Sequence, residues 1–124
     1  MASIEKLRDS VKQLLTEYAQ IPTYDSQVEY KTIFDLKSDR YMLISIGWYR
    51  DRRVHDCIMH LDIIDGQIWI QANNTDRYIG EELVAAGIPP KSIVLGLQPP
   101  EVRQFTAYGV PKSEPLKNLE SVKI

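Results

Sequence analysis

The sequence is poor in the residues that build disulfides, metal centres and phosphate-binding loops. Its 124 residues include one cysteine, two histidines and six glycines. Because a disulfide or a Cys-based zinc site needs more than one thiol, Cys57 alone supports neither. The two histidines, His55 and His60, fall on opposite faces of one predicted strand and are not expected to share a metal. The glycines are too widely separated for a GxGxxG fingerprint or a P-loop, so the sequence predicts no cofactor and no metal.

The chain has neither a large excess of charge of one sign nor a long apolar run. Fifteen basic and seventeen acidic residues give a formal net charge of −2, which argues against a general electrostatic grip on DNA. No apolar run approaches membrane-spanning length, and the N-terminus lacks the apolar region of a signal peptide. Since a lone cysteine also suits a reducing compartment, we expect a cytoplasmic protein with no membrane partner.

Apolar spacing predicts an α+β fold in one domain, residues 1–110, with a C-terminal tail, residues 111–124, that is docked or frayed. Near the N-terminus the spacing is helical and predicts a helix over residues 4–18 with Ser3 as its N-cap. Further on, apolar and polar residues alternate, which predicts strands over residues 28–35, 41–49, 53–64 and 67–73. We expect these strands to form a four- to five-stranded antiparallel meander, with a buried extended segment or fifth strand at residues 93–97.

Two turns set the expected register of the sheet. Asp65 and Gly66 form a dipeptide that readily takes the positive φ values of a type I′ turn. With these two residues as the loop, Leu61 faces Ile70, Asp62 faces Trp69 and His60 faces Gln71. A turn at Asp51 and Arg52 then places four apolar residues of the second strand on the same core face as the apolar residues of the third and fourth. The predicted core face comprises Met42, Ile44, Ile46, Trp48, Cys57, Met59, Leu61, Ile63, Ile68 and Ile70.

A second helix is expected after strand 4, packed with the first on one face of the sheet. Thr75 or Asp76 can cap its start, and apolar residues on one side predict a helix over residues 77–86. Gly87 is placed to end it, because a helix commonly terminates at a glycine and two prolines follow shortly after. A short helical turn is expected through Arg103.

The reverse face of the third and fourth strands carries the candidate partner-binding residues His60, Asp62, Trp69 and Gln71. Trp69 is the kind of aromatic anchor that interaction surfaces favour. His60 and Asp62 could instead form an acid–base pair. No serine, cysteine or lysine nucleophile is evident beside them in sequence, so a small hydrolase or nuclease is the weaker alternative, and no catalytic residue is assigned. The simplest alternative is a His60 that is hydrogen-bonded to Gln71 or Asp62 in a packed structure.

A small group of arginines marks a second candidate surface. Arg50, Arg52 and Arg53 lie at a predicted hairpin tip, where they could contact phosphate or an acidic partner, and Arg103 could join them. The negative charge of Asp51, which lies between Arg50 and Arg52 in the sequence, weakens the positive potential of this group. Direct DNA binding through these arginines is therefore the alternative to a protein–protein role.

Several short strings, in order along the chain, resemble one family. The most specific is HLDIIDGQIWIQ at residues 60–71. The others are TEYA at 16–19, IFD at 33–35, GW at 47–48, DRRV at 51–54, ELV at 82–84, GIP at 87–89, IVLG at 93–96 and PPEVRQFT at 99–106. Together they resemble the XisI-like proteins, the fdxN element excision controlling factors of cyanobacteria. The resemblance covers about residues 7–110.

The resemblance implies an accessory role in the excision of a DNA element by a site-specific recombinase. It also implies a companion, a XisH-like protein that looks like an endonuclease. We therefore expect a non-enzymatic interaction module that forms a homodimer or binds a XisH-like protein or a recombinase.

Overall fold

A computed structural model describes residues 2–112 of the chain and shows three helices, a short 3-10 turn and one five-stranded sheet in an α+β arrangement. The elements, in chain order, are α1 (Ile4–Ala19), β1 (Val28–Asp35), β2 (Arg40–Tyr49), β3 (Arg52–Ile64), β4 (Gln67–Asn73), α2 (Ile79–Ala85), the 3-10 turn (Pro90–Ser92), β5 (Ile93–Leu95) and α3 (Pro100–Arg103). Except for Pro111 and Lys112, the predicted tail lies outside the described residues.

The sheet has the strand order β1-β2-β3-β4-β5, so each strand lies beside its neighbour in sequence. The first four strands form the predicted antiparallel meander. β5 pairs with β4 in parallel, which corrects the all-antiparallel prediction. The parallel orientation follows from α2, because the chain crosses over in a helix between the two strands and returns in the same direction.

Helix α1 begins where the sequence predicts. The Ser3 side chain accepts a hydrogen bond from the Lys6 backbone N–H at 3.1 Å, as an N-cap residue does. Its apolar stripe packs with α2 against one face of the sheet and forms the core. The core residues are Leu7, Val11, Leu14, Leu15, Tyr41, Leu43, Met59, Leu61, Ile63, Ile68, Ile70, Ile79, Leu83, Ile88 and Ile93.

The β3–β4 hairpin follows the predicted turn but contains one irregularity. Asp65 and Gly66 have φ values of 52° and 74°, and Leu61 pairs with Ile70 as expected. The register then shifts between His60 and Leu61, so that His60 faces Ala72. The expected pairing of His60 with Gln71 is therefore wrong, because a bulge adds one residue to β4 at this point.

The β2–β3 hairpin turns one residue earlier than predicted. Tyr49 pairs with Arg52, and Arg50 takes a φ of 59° in the turn. A register shift beside Ile44 leads to the pairing of Leu43 with Met59, both fully buried. The prediction that the alternate residues Met42, Ile44, Ile46 and Trp48 form the core face, with Cys57 on it, is therefore wrong. The buried residues of β2 are Tyr41, Leu43 and Ser45. Cys57 pairs with Ile44 on the opposite face.

Helix α2 is shorter than predicted, and neither Thr75 nor Asp76 caps it. Tyr78 occupies the N-cap position without a side-chain hydrogen bond, while the side chain of Arg77 forms an ion pair with Glu82. Gly87, with a φ of 101°, follows the helix as expected. In residues 2–112 there is no helix of the length and hydrophobicity needed to cross a bilayer.

Candidate interaction surface

The sheet face turned away from α1 and α2, here called the open face, carries an apolar stripe. Its members come from the two strands at one side of the sheet: Ile33 from β1 and Met42, Ile44, Ile46 and Trp48 from β2. Trp48 is 51% exposed and Ile33 is 48% exposed. Large apolar side chains that adjoin one another on a surface mark interaction sites more often than scattered ones do.

The sequence-predicted patch lies on the same open face, farther along β3 and on β4. Asp62 is its centre: Nε2 of His60 lies 2.8 Å from one carboxylate oxygen, and Nε2 of Gln71 donates to the other at 3.2 Å. Trp69 is the cross-strand partner of Asp62. The structure therefore brings all four residues together. Since Asp62 is 9% exposed, hydrogen bonds to both of its oxygens compensate its burial.

Trp69 is not the free anchor that the sequence suggests, because Arg103 covers it. The Arg103 guanidinium carbon lies 5.1 Å from the centroid of the Trp69 ring, a cation–π geometry. Arg103 also donates to the carbonyls of Leu95 at 3.0 Å and Gly96 at 3.3 Å, and it is 9% exposed. Arg103 thus fastens α3 to the sheet.

The arginine tip, defined as Arg50, Arg52 and Arg53, lies exposed at the β2–β3 turn. Two of its guanidinium groups lie over aromatic rings: that of Arg53 is 5.6 Å from the ring centroid of Trp48, and that of Arg50 is 5.2 Å from the ring centroid of Tyr49. Arg53 pairs with Trp48 across the strands, so both lie on the open face. Arg103 stands apart from this group, beside β5 at the other side of the sheet.

The surface offers little for metal or thiol chemistry. Residues 2–112 contain no group of three or more histidine, cysteine, aspartate or glutamate side chains suited to hold a metal ion. Burial raises the pKa of the Cys57 thiol, which favours its unreactive protonated form. The strand neighbours of His60 and Asp62 on β2 are Met42 and Arg40, and neither is a nucleophile.

Comparison with known proteins identifies the family. A family model described as XisI protein matches residues 1–110. The chain belongs to the XisI family. None of the curated proteins matches it.

Two solved structures of XisI-family relatives share its fold. The chain is 45% identical to a XisI-like protein from Anabaena variabilis ATCC 29413, with a TM-score of 0.84, and the match covers 88% of this chain and all (100%) of that one. It is 29% identical to the fdxN element excision controlling factor XisI from the same organism, with a TM-score of 0.74, and the match covers 86% of this chain and 97% of that one.

In this XisI-family chain, sequence reasoning missed the apolar stripe as a surface because it placed the four β2 residues of the stripe in the core. The available signal was that β2 is apolar on both faces, with Tyr41 and Leu43 alternating with Met42 and Ile44. A central strand covered on one side only would be expected to show polar residues on the other. The apolar residues on the second face of β2 are therefore not part of the core and lie on the surface.

Proposed function

We propose that this XisI-family chain is an accessory controlling factor for the excision of a DNA element. In this proposal it acts by protein–protein interaction with a recombinase or a XisH-like endonuclease, and it also associates with itself. The family and the similarity to the fdxN element excision controlling factor XisI support the process. The observation that supports the mode of action is the apolar stripe on the open face.

The stripe has the composition of a protein-binding surface. Trp48 and the stacked Arg53 are the residue types that dominate binding energy at interfaces. Ile44 and Met42 provide half-buried apolar area between them and His60. The rim of the contact would be formed by polar groups at the end of the stripe away from Trp48, namely His60 and its hydrogen-bonded neighbours Asp62 and Gln71. Trp69 lies beside them, beneath Arg103. Protein–protein interfaces commonly combine an apolar centre with a polar rim in this way.

Co-purification with a co-expressed XisH-like protein or recombinase tests this assignment. Trp48→Ala and Ile44→Ser are each expected to weaken capture of the partner by at least about tenfold, because truncating a central anchor typically costs more than about 1.4 kcal/mol. Tyr78→Ala is the matched control, since Tyr78 is an aromatic residue that is 75% exposed and lies next to α2, away from the stripe. Unchanged capture by both stripe variants, with their fold intact, would reject the open face as the partner site.

Direct DNA binding through the arginine tip is the second candidate function. The three arginines are exposed at one turn, and Arg53 is oriented by its contact with Trp48. Binding of this kind loses affinity steeply as salt increases, because phosphate contacts release counterions. In a titration of labelled duplex DNA by fluorescence anisotropy, the triple variant R50A/R52A/R53A should bind more weakly and with a shallower salt dependence. Absence of binding by the unaltered protein at low salt would dismiss this candidate.

A further inference from the structure

Strand β1 forms one edge of the sheet, so half of its backbone groups point away from β2. The Gln27 carbonyl accepts a hydrogen bond from the N–H of Trp48 in β2. Because the pairing direction alternates along a strand, the groups of Tyr30, Thr32 and Phe34 point to the outer edge. Within residues 2–112, no second strand pairs with that edge. Such a row of donors and acceptors can accept another strand.

The usable part of this edge begins after Val28. The Val28 N–H bonds to the Asp25 carbonyl at 3.0 Å, and the Val28 carbonyl accepts from Oγ1 of Thr23 at 2.7 Å. These local bonds occupy both outward groups of Val28. An added strand is therefore limited to the stretch from Tyr30 to the end of β1.

The side chains on this stretch are self-complementary. On the open face, Lys31, Ile33 and Asp35 follow one another at alternate positions, with the apolar residue in the middle. When a second copy lies antiparallel with Ile33 opposite its own counterpart, Lys31 of each copy faces Asp35 of the other. On the helix side, Thr32 then faces Phe34, and these residues exchange backbone hydrogen bonds across the edge.

The registers centred on Tyr30, Lys31 and Thr32 are each less favourable than the one centred on Ile33. Centring on Tyr30 requires the outward groups of Val28, which are already bonded. Centring on Lys31 places two lysines face to face. Centring on Thr32 places Glu29 opposite Asp35, and like charges directly opposite each other on paired strands destabilise the pairing.

We infer that two copies of this chain pair through the outer edges of their β1 strands, antiparallel and centred on Ile33, to form one continuous sheet. The inference rests on the self-association included in the proposed function, and it leaves both open faces free. Lys31 now pairs with Glu29 at 2.9 Å, with both side chains more than half exposed, so this weak contact can be exchanged for Asp35 of the second copy. The Asp35 carboxyl supplies a negative charge opposite Lys31, since hydrogen bonds from Ser38 and Lys37 lower its pKa and favour the ionised form.

Disulfide cross-linking locates the symmetry axis. In a Cys57→Ser background, single substitutions Glu29→Cys, Lys31→Cys and Ile33→Cys place thiols along one exposed face of β1. Only Ile33→Cys is expected to form a covalent dimer under mild oxidation, because residues facing each other in a non-hydrogen-bonded pair have Cβ atoms about 5 Å apart. The two Lys31→Cys thiols would be roughly 13 Å apart along the strand. A cross-link that is strongest at position 29 or 31 would overturn the proposed register.

Charge reversal tests the edge without cysteine. Lys31→Glu and Asp35→Lys should each weaken the dimer about tenfold in sedimentation equilibrium, whereas a mixture of the two variants should associate again, because the mixed pair restores both opposite-charge contacts. Lys12→Glu, at a partly exposed position on α1, is the control and should leave the mass unchanged. Trp48→Ala should also leave the mass of the dimer unchanged, but it should weaken capture of the partner. This variant therefore separates failure of this inference from failure of the proposed function. A protein that stays monomeric, or that loses its dimer on Trp48→Ala, would refute pairing through β1.

Discussion

Arg103 and Trp69 form a stacked pair that joins the C-terminal part of the domain to the sheet. The Arg103 guanidinium carbon lies 5.1 Å from the Trp69 ring centroid, and its N–H groups bond the carbonyls of Leu95 and Gly96. Arginine is suited to this position because a planar guanidinium can stack on a ring and donate hydrogen bonds at its edge at the same time. The pair therefore positions α3 beside the rim of the open face.

Arg103→Ala is expected to destabilise the protein by about 2 kcal/mol, because it removes hydrogen bonds to the Gly96 carbonyl and to the Leu95 carbonyl, which still accepts from the Gln98 N–H at 3.1 Å, and because it uncovers Trp69. Urea unfolding measures the difference. Arg53→Ala removes a comparable arginine–tryptophan contact at an exposed position, so it should cost no more than about 0.5 kcal/mol. Equal costs for the two variants would contradict the structural role of Arg103.

Gly47→Ala is expected to be among the most damaging substitutions in β2. Gly47 has a φ of 150°, and a Cβ atom there would clash with the carbonyl oxygen of Gln27. Since backbone atoms cannot move aside easily, we expect a loss of roughly 3 kcal/mol and a lower thermal midpoint. Gly66→Ala is the control: its φ of 74° is also unfavourable for alanine, but only the flexible end of Lys112 is near, so the cost should be roughly 1 kcal/mol. A Gly47→Ala protein as stable as Gly66→Ala would contradict the close approach.

The sequence predicts the β3–β4 hairpin well and the β2–β3 hairpin poorly, for different physical reasons. Asp65-Gly66 is a dipeptide whose positive φ values suit one turn type, and this limits the register to the observed pairing of Leu61 with Ile70. The β2–β3 turn gives no such signal, because the residue with positive φ is Arg50. β2 is also apolar on both faces, so alternation cannot tell which set is buried.

The candidate surface was predictable only in part. The shared face of His60, Asp62, Trp69 and Gln71 follows from strand alternation, which survives the bulge. The covering of Trp69 does not follow, because it depends on an arginine more than thirty residues further along the chain. Long-range contacts of this kind leave no periodic pattern in a single sequence. The exposure of Trp48 was missed for the same reason as the register of β2.

Gln67→Leu is expected to release the segment that follows β5. The Gln67 side chain is 2% exposed and bonds the carbonyls of Lys91 and Val110 and the N–H of Lys112. Because leucine replaces none of these bonds, we expect a loss of about 2 kcal/mol and faster hydrogen exchange at Gly109 and Lys112. Gln104→Leu is the control, since its side chain is exposed and makes one long hydrogen bond. Unchanged protection of the Lys112 amide in Gln67→Leu would contradict this role.

Asp39 is expected to give the fold a part of its stability that disappears in acid. Hydrogen bonds from Arg8 are the main cause that lowers the pKa of the Asp39 carboxyl, with Nε and Nη2 donating at 2.9 and 3.1 Å. A carboxyl whose pKa is lower in the folded state contributes stability that is fully present above the ordinary pKa of about 4 and is lost as the pH falls through the folded value.

Asp39→Asn should therefore cost roughly 1 kcal/mol at neutral pH, a value reduced by the partial exposure of Arg8, and the difference from the unaltered protein should shrink as the pH falls from about 5 towards 2. Asparagine is the suitable replacement because Asp39 has a φ of 54°, which asparagine tolerates. Urea unfolding across this pH range measures the effect. Asp9→Asn is the control, since Asp9 is 75% exposed and lies 3.9 Å from Lys12, so it should show almost no pH-dependent difference. A difference for Asp39→Asn that stays constant with pH would mean that the charge on Asp39 does not stabilise the contact between α1 and the β1–β2 turn.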